Sequence, residues 1–153
     1  MGKRSLGAAH YILSKADRPI TPMMLLKLVY IAHGYSLALN KTPLLDEEVL
    51  AWQYGPIVRS VYDGVRDFRS MPVRYIKGAV GTFVFSHEDM EVMDRVLETY
   101  SEATAISLSS AMHRTGTPWS ITRGIAGGDA PISNDLIKSF YRDLLAQPSH
   151  SAL

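Results

Sequence analysis

The chain of 153 residues is 46% hydrophobic and 20% charged, and its 16 basic and 15 acidic side chains give a formal net charge of +1. This length and composition fit one soluble globular domain with a real core, and the near-balanced charge predicts no attraction to nucleic acid or a membrane surface. The absence of cysteine excludes disulfides, thiolate metal sites and a cysteine nucleophile.

Targeting features predict a cytoplasmic protein. The first residues, Met1 to Leu6, include two basic side chains, but no apolar run follows them, so no secretory signal is expected. The longest apolar stretch, Met23 to Leu39, is interrupted by Lys27 and falls short of the roughly 20 apolar residues that a spanning helix needs. We therefore expect a buried core helix there and no membrane partner.

Helical periodicity and start signals predict six to seven helices in chain order. A first amphipathic helix ends near Asp17, and Thr21-Pro22 then caps an apolar helix that reaches Leu39. Further helices are predicted from Pro56, after Ser86, over 105–112, from Pro118 and after Ser133.

A short β-hairpin is predicted over 71–85, where apolar residues flank two glycines. The sum is a mainly α, α+β fold: a single compact helical domain over residues 1–147, with about six to seven helices and a small β-hairpin. The tail, 148–153, is predicted to be frayed.

The segment Trp52-Gln53-Tyr54-Gly55-Pro56 has the most specific local chemistry. Glycine permits backbone angles closed to other residues and proline fixes φ, so the pair predicts a sharp, rigid start of the helix at Pro56. The two aromatic residues before it must bury large apolar bodies while their N–H and O–H groups find partners.

Histidines are the main candidates for acid–base chemistry. His33 lies mid-helix among apolar neighbours, where a hydrogen-bonded core histidine is more common than a general base. His113 is followed by a Thr-Gly turn and Pro118-Trp119, which allows either an exposed recognition residue or a helix C-cap histidine. No His-Glu-x-x-His spacing or phosphate-loop signature occurs, so we predict no metal, no cofactor and no catalytic set.

Three spaced segments resemble the Panacea domain family, which includes SocA-like antitoxins and phage-associated proteins of the GepA type. They are 27–35 (KLVYIAHGY), 51–58 (AWQYGPIV) and Met112-His113 with Pro118-Trp119, and the likeness covers roughly residues 5–145. Two departures are Leu26, where many members carry Gln, and Tyr35, where members often carry Trp.

The resemblance implies a bacterial or prophage antitoxin that neutralises a cognate protein toxin by direct binding, or alternatively an adaptor that delivers its partner to a Clp-type protease. Within this Panacea-like (SocA-like) domain, the motif residues that we assign to the scaffold are Lys27, Leu28, Tyr30, Tyr35, Trp52, Tyr54, Gly55 and Pro56. We place the partner-binding groove at His113, Arg114, Pro118 and Trp119, because aromatic side chains are the expected hot spots of an interface.

Two other classes stay open from the sequence. An enzyme would need Tyr30, His33 and His113 within hydrogen-bond reach of one another around a cleft. A DNA-binding regulator would need clustered basic residues on one helix. The helix from Arg59 comes closest, but aspartates interrupt its basic residues, so nucleic acid is not expected as a partner.

Overall fold

Seven α-helices and a small antiparallel sheet make up the computed structural model, which describes residues 2–79 and 83–147. The helices are α1 (Lys3–Lys15), α2 (Pro22–Leu39), α3 (Arg59–Val65), α4 (His87–Thr99), α5 (Ala105–Met112), α6 (Pro118–Ala126) and α7 (Asn134–Leu145), with a 3₁₀ turn at Arg66–Phe68. The strands are β1 (Val49–Trp52), β2 (Gly55–Val58) and β3 (Pro131–Ile132), in the order β2-β1-β3. The predicted fold class and number of helices are confirmed, whereas the predicted tail at 148–153 lies outside the described residues.

Helix α2 is the centre of the fold, because a helix that is apolar nearly all round must be covered on several sides. The Thr21 side chain accepts a hydrogen bond from the Met24 N–H at 3.4 Å, and Pro22 lies in the first turn, so the predicted start is confirmed. The helix is long and apolar enough to cross a membrane, but 83% of it is buried inside the fold. Its neighbours are α1, α3, α4, α5, α7 and β2.

A cluster of tyrosines joins α2 to α7. The Tyr141 ring is fully buried and lies 6.0 Å from the Tyr30 ring and 5.8 Å from the Tyr35 ring, measured between centroids. A Cβ placed on Gly34 would lie only 2.2 Å from Cδ2 of Tyr141. The absence of a side chain at this one position of α2 therefore lets the tyrosine ring pack against the helix.

Helix α1 begins on an acceptor that comes from elsewhere in the chain. The Asp46 carboxylate accepts hydrogen bonds from the backbone N–H groups of Gly2, Arg4 and Ser5 and from the Ser5 hydroxyl. Burial raises the pKa of Asp46, but these hydrogen bonds outweigh it and the net pKa lies below the usual range. Because the first N–H groups of a helix have no partner within the helix, this carboxylate stabilises the start of α1.

The predicted helix start at Pro56 is wrong. Pro56 lies in β2, which pairs with β1 through a two-residue turn at Gln53-Tyr54, and the helix begins at Arg59. Gly55 has φ 122°, a conformation that favours glycine, so its role is to close a hairpin. Proline is tolerated in β2 because this strand lies at the edge of the sheet, where a missing N–H is not needed.

The predicted hairpin over 71–85 is also wrong for the described part of that range. Residues 71–79 and 83–85 contain no strand, and 80–82 lie outside the described residues. The apolar side chains of Val73, Ile76 and Phe85 are instead buried in the core. The Val73 N–H donates to the Ile20 carbonyl at 2.7 Å, so this segment is held by isolated contacts and not by strand pairing.

Candidate functional site

Residues from three distant parts of the chain meet at the β1–β2 turn. The Trp119 indole N–H, from the first turn of α6, donates to the Trp52 carbonyl at 2.6 Å. Nε2 of His113, at the end of α5, lies 3.4 Å from the carbonyl oxygen of Gln53. The turn is thus tied to the junction between α5 and α6.

His113 itself is fixed from two sides. Its Nδ1 lies 2.6 Å from the Ser109 carbonyl, one turn back in α5, so the C-cap arrangement, one of the two alternatives for this residue, is present. Its ring meets the Trp119 ring edge to face, with centroids 4.3 Å apart. The Arg123 guanidinium also lies against Trp119, 5.2 Å from the ring centroid, and donates to the Ala51 carbonyl at 2.8 Å. The aromatic pair is consequently well ordered.

We use the name turn surface for Gln53, Tyr54, His113, Arg114 and Trp119, which lie around this junction. Tyr54 is 72% exposed, and Gln53 and Arg114 are also exposed, whereas His113 and Trp119 are half-buried. This surface is aromatic and basic, and none of its five residues is acidic. It can therefore offer apolar area and hydrogen-bond donors to another molecule.

The predicted scaffold and groove residues are distributed over the core and this surface. Lys27, Leu28, Tyr30 and Tyr35 are buried in α2, and Gly55, Pro56 and Pro118 are buried as well. Trp52 is half-buried beside Tyr62, with ring centroids 4.8 Å apart. Tyr54, which we predicted to be scaffold, instead projects into solvent.

The residues proposed for an enzyme do not form one site. His33 accepts from the Leu45 backbone N–H at Nδ1 (3.3 Å), which leaves the proton on Nε2 to donate to Asn134 Oδ1 at 2.9 Å. Burial lowers the pKa of His33, and the hydrogen bond to Asn134 only partly opposes this effect. Tyr30 packs in the tyrosine cluster, where burial raises its pKa. Over the described ranges, no hydrogen bond connects Tyr30, His33 and His113.

Metal binding has no support in the part of the chain that the structure describes, where no group of three or more His, Cys, Asp or Glu side chains is placed to hold an ion.

Arg123 is a contact residue that we did not predict. Its spacing of four residues from Trp119 along a helix was the available signal, since such residues share one helix face. Gly34 was likewise missed, because a glycine in an apolar helix does not indicate which ring packs against it.

The fold and this surface define a small α+β domain built around one buried helix, with an aromatic, basic surface at the tip of its hairpin. Residues 25–120 match the family model described as "Antitoxin SocA-like, Panacea domain", so the chain belongs to this family. The matched range contains the segments from Lys27 to Trp119 on which the resemblance was based.

One curated relative is Antitoxin SocA of Caulobacter vibrioides (strain NA1000 / CB15N), which is 30% identical over 128 residues. The alignment covers 74% of this chain and 66% of the relative, so the chain spans about two thirds of that protein's length. No solved structure matches the chain.

Proposed function

We propose that this protein is an antitoxin that neutralises a protein toxin by binding it through the turn surface. The family and the relative's name favour an antitoxin role, and a binding role requires no catalytic set. The observation that carries the location is the convergence of Trp52, His113 and Trp119 around an exposed Tyr54.

The physical argument rests on a rigid support for exposed aromatic area. The hydrogen bond from Trp119 to Trp52 and the edge-to-face contact with His113 hold the surface before a partner arrives. An interface that is already ordered loses less conformational entropy on binding. Tyr54, at the tip of the hairpin, is then the best placed anchor, since buried tyrosines are frequent hot spots of protein interfaces.

The test is co-expression with the product of each adjacent reading frame. We expect one neighbouring product to arrest growth when expressed alone and to be harmless together with this chain. If no neighbouring product is toxic, or if toxicity is the same with and without the chain, the antitoxin role is rejected. The amount of toxin in rescued cells separates neutralisation by binding, where it is unchanged, from delivery to a Clp-type protease, where it falls only when the protease is present.

The location is tested by Tyr54→Ala, which removes exposed area without touching the core. We expect the affinity for the toxin to fall about 30-fold, equivalent to the ~2 kcal/mol of a hot-spot side chain, while the melting temperature stays unchanged. Tyr75→Ala is the matched control, since Tyr75 is 62% exposed and lies in a different segment. Equal affinities for the Tyr54→Ala and parent proteins would place the interface elsewhere.

A further inference from the structure

The buried amine of Lys27 has no partner among the described residues. The side chain is only 4% exposed, and no hydrogen bond or ion pair is made to it there. The buried Asp and His side chains of the described residues are partnered: Asp89 binds Arg4 at 2.7 Å, and His33 binds Asn134 and Leu45. Burial lowers the pKa of Lys27. A charged group in this position is costly unless something compensates it.

The amine of Lys27 lies close to Gly55 of the hairpin. A Cβ built on Gly55 would lie 3.9 Å from Nζ of Lys27 and 3.6 Å from Cε1 of His113, and no described atom beyond Gly55 and its two chain neighbours would lie within 4 Å. The Lys27 amine and the edge of the His113 imidazole therefore border the same point, the position that a side chain at Gly55 would occupy. The exposed residues Gln53 and Tyr54 precede Gly55, so this point lies next to the turn surface.

Some access to the amine remains. Within the described ranges, the Tyr141 hydroxyl is the one fully enclosed side-chain polar atom that lacks a hydrogen-bond partner. The Lys27 amine also lacks a hydrogen-bond partner but is not fully enclosed, so part of the 4% exposure of Lys27 belongs to this amine.

We propose that Lys27, Gly55 and His113 form a carboxylate-binding site that receives an acid group of the protein partner. This proposal rests on the proposed function and adds the chemistry of the partner's contact residue. A carboxylate fits because it carries one negative charge and Lys27 supplies one buried cation, whereas a phosphate would require more donors than this point offers. The bound acid would supply the hydrogen-bond acceptor that the ammonium lacks in the free protein.

The isolated protein provides a test that does not depend on the toxin. Sodium acetate replaces sodium chloride at constant ionic strength while the resonances of the His113 Cε1 proton and the Gly55 amide are followed by NMR. We expect saturable shifts with acetate and none with acetamide, its neutral isostere. In Lys27→Met we expect the acetate affinity to fall at least tenfold, the loss expected for one charge-assisted hydrogen bond, while Lys3→Met, at an exposed site, leaves it unchanged.

A structural role for Lys27 would give a different result. The urea midpoint of Lys27→Met is expected at or above that of the parent, because the amine has no acceptor in the free chain. A lower midpoint together with unchanged acetate shifts, or equal shifts with acetamide, overturns the proposal. If Lys27→Met fails to fold, Lys27→Gln, which removes the charge and keeps a polar end, replaces it in the same titration.

Two peptides distinguish the source of the acid group. Acetyl-Gly-Gly-Gly with a free C-terminus presents a terminal carboxylate, and acetyl-Gly-Glu-Gly-amide presents a side-chain carboxylate. Binding of either one, lost in Lys27→Met, supports the site and names the source, whereas binding of neither overturns it. If Lys27→Met no longer binds acetate but still neutralises the toxin, the proposed site does not receive the partner's acid group, and the antitoxin role is unaffected.

Discussion

The contact between Gly34 and Tyr141 allows a stability change to be worked out from the structure. An alanine at position 34 would place Cβ 2.2, 2.4 and 2.8 Å from three ring carbons of Tyr141, whereas carbon atoms pack at about 3.5–4.0 Å. The ring cannot move away easily, because it is fully buried between Tyr30, Tyr35 and Phe140. Gly34→Ala must therefore displace α7 from α2 or distort the tyrosine cluster.

Two effects of opposite sign decide the result. Overpacking of a core costs about 1–3 kcal/mol, and a clash this close belongs at the upper end. Replacing glycine by alanine inside a helix gains about 1 kcal/mol from propensity. We expect a net loss of about 2 kcal/mol in the free energy of unfolding, which lowers the melting temperature by about 4–8 °C in a chain of this size.

Urea unfolding followed by circular dichroism measures this change. Gly124→Ala is the matched control, because Gly124 also lies in a helix but a Cβ there meets nothing within 4 Å. That variant should gain about 0.5–1 kcal/mol from propensity alone. Combined with Tyr141→Leu, Gly34→Ala should cost less than in the parent, since coupled neighbours are not additive. Equal stability of Gly34→Ala and Gly124→Ala would refute the packing of α7 on α2 described above.

Two more predictions concern buried polar groups. The Tyr141 hydroxyl is buried without a hydrogen-bond partner among the described residues, so Tyr141→Phe should leave the protein as stable or raise the free energy of unfolding by about 1 kcal/mol in the same urea assay; a loss of more than 1 kcal/mol would mean that the hydroxyl is bonded. Burial lowers the pKa of His33 below 6.5. Below about pH 6.5 the histidine is therefore protonated to a greater extent in the unfolded chain than in the folded protein, and the free energy of unfolding should decline as the pH falls. Measured between pH 8 and 5.5, this decline should be smaller in His33→Gln and unchanged in His10→Gln, an exposed control; identical pH profiles for His33→Gln and the parent would contradict the assignment.

The parts of the fold that could be predicted are those set by neighbours in sequence. The starts of α2, α4, α6 and α7 follow from Thr21, Ser86, Thr117 and Ser133, each of which caps the N–H of a residue three positions on. The hairpin was misplaced because its strands are only four residues long and one contains a proline, so their pattern is weaker than that of the apolar segment at 71–85. Strand pairing depends on a partner strand, which local periodicity does not report.

The candidate site divides in the same way. From the sequence, His113 and Trp119 could be singled out, but their position against the β1–β2 turn could not, because Trp119 and Trp52 are 67 residues apart. Lys27 is a second example. The sequence shows a lysine within the central helix, but whether its amine has a hydrogen-bond acceptor depends on every segment that packs around it.

The sequence by itself thus determined a helical domain, a buried central helix and membership of a family, because periodicity, capping and spaced motifs are carried by short stretches of chain. Only the tertiary structure decided which residues meet at the turn surface, that Gly34 gives room to Tyr141, and that Lys27 and His113 border one point beneath Gly55. The physical reason is that these contacts arise when the chain closes on itself and places residues from α2, the hairpin and the α5–α6 junction side by side.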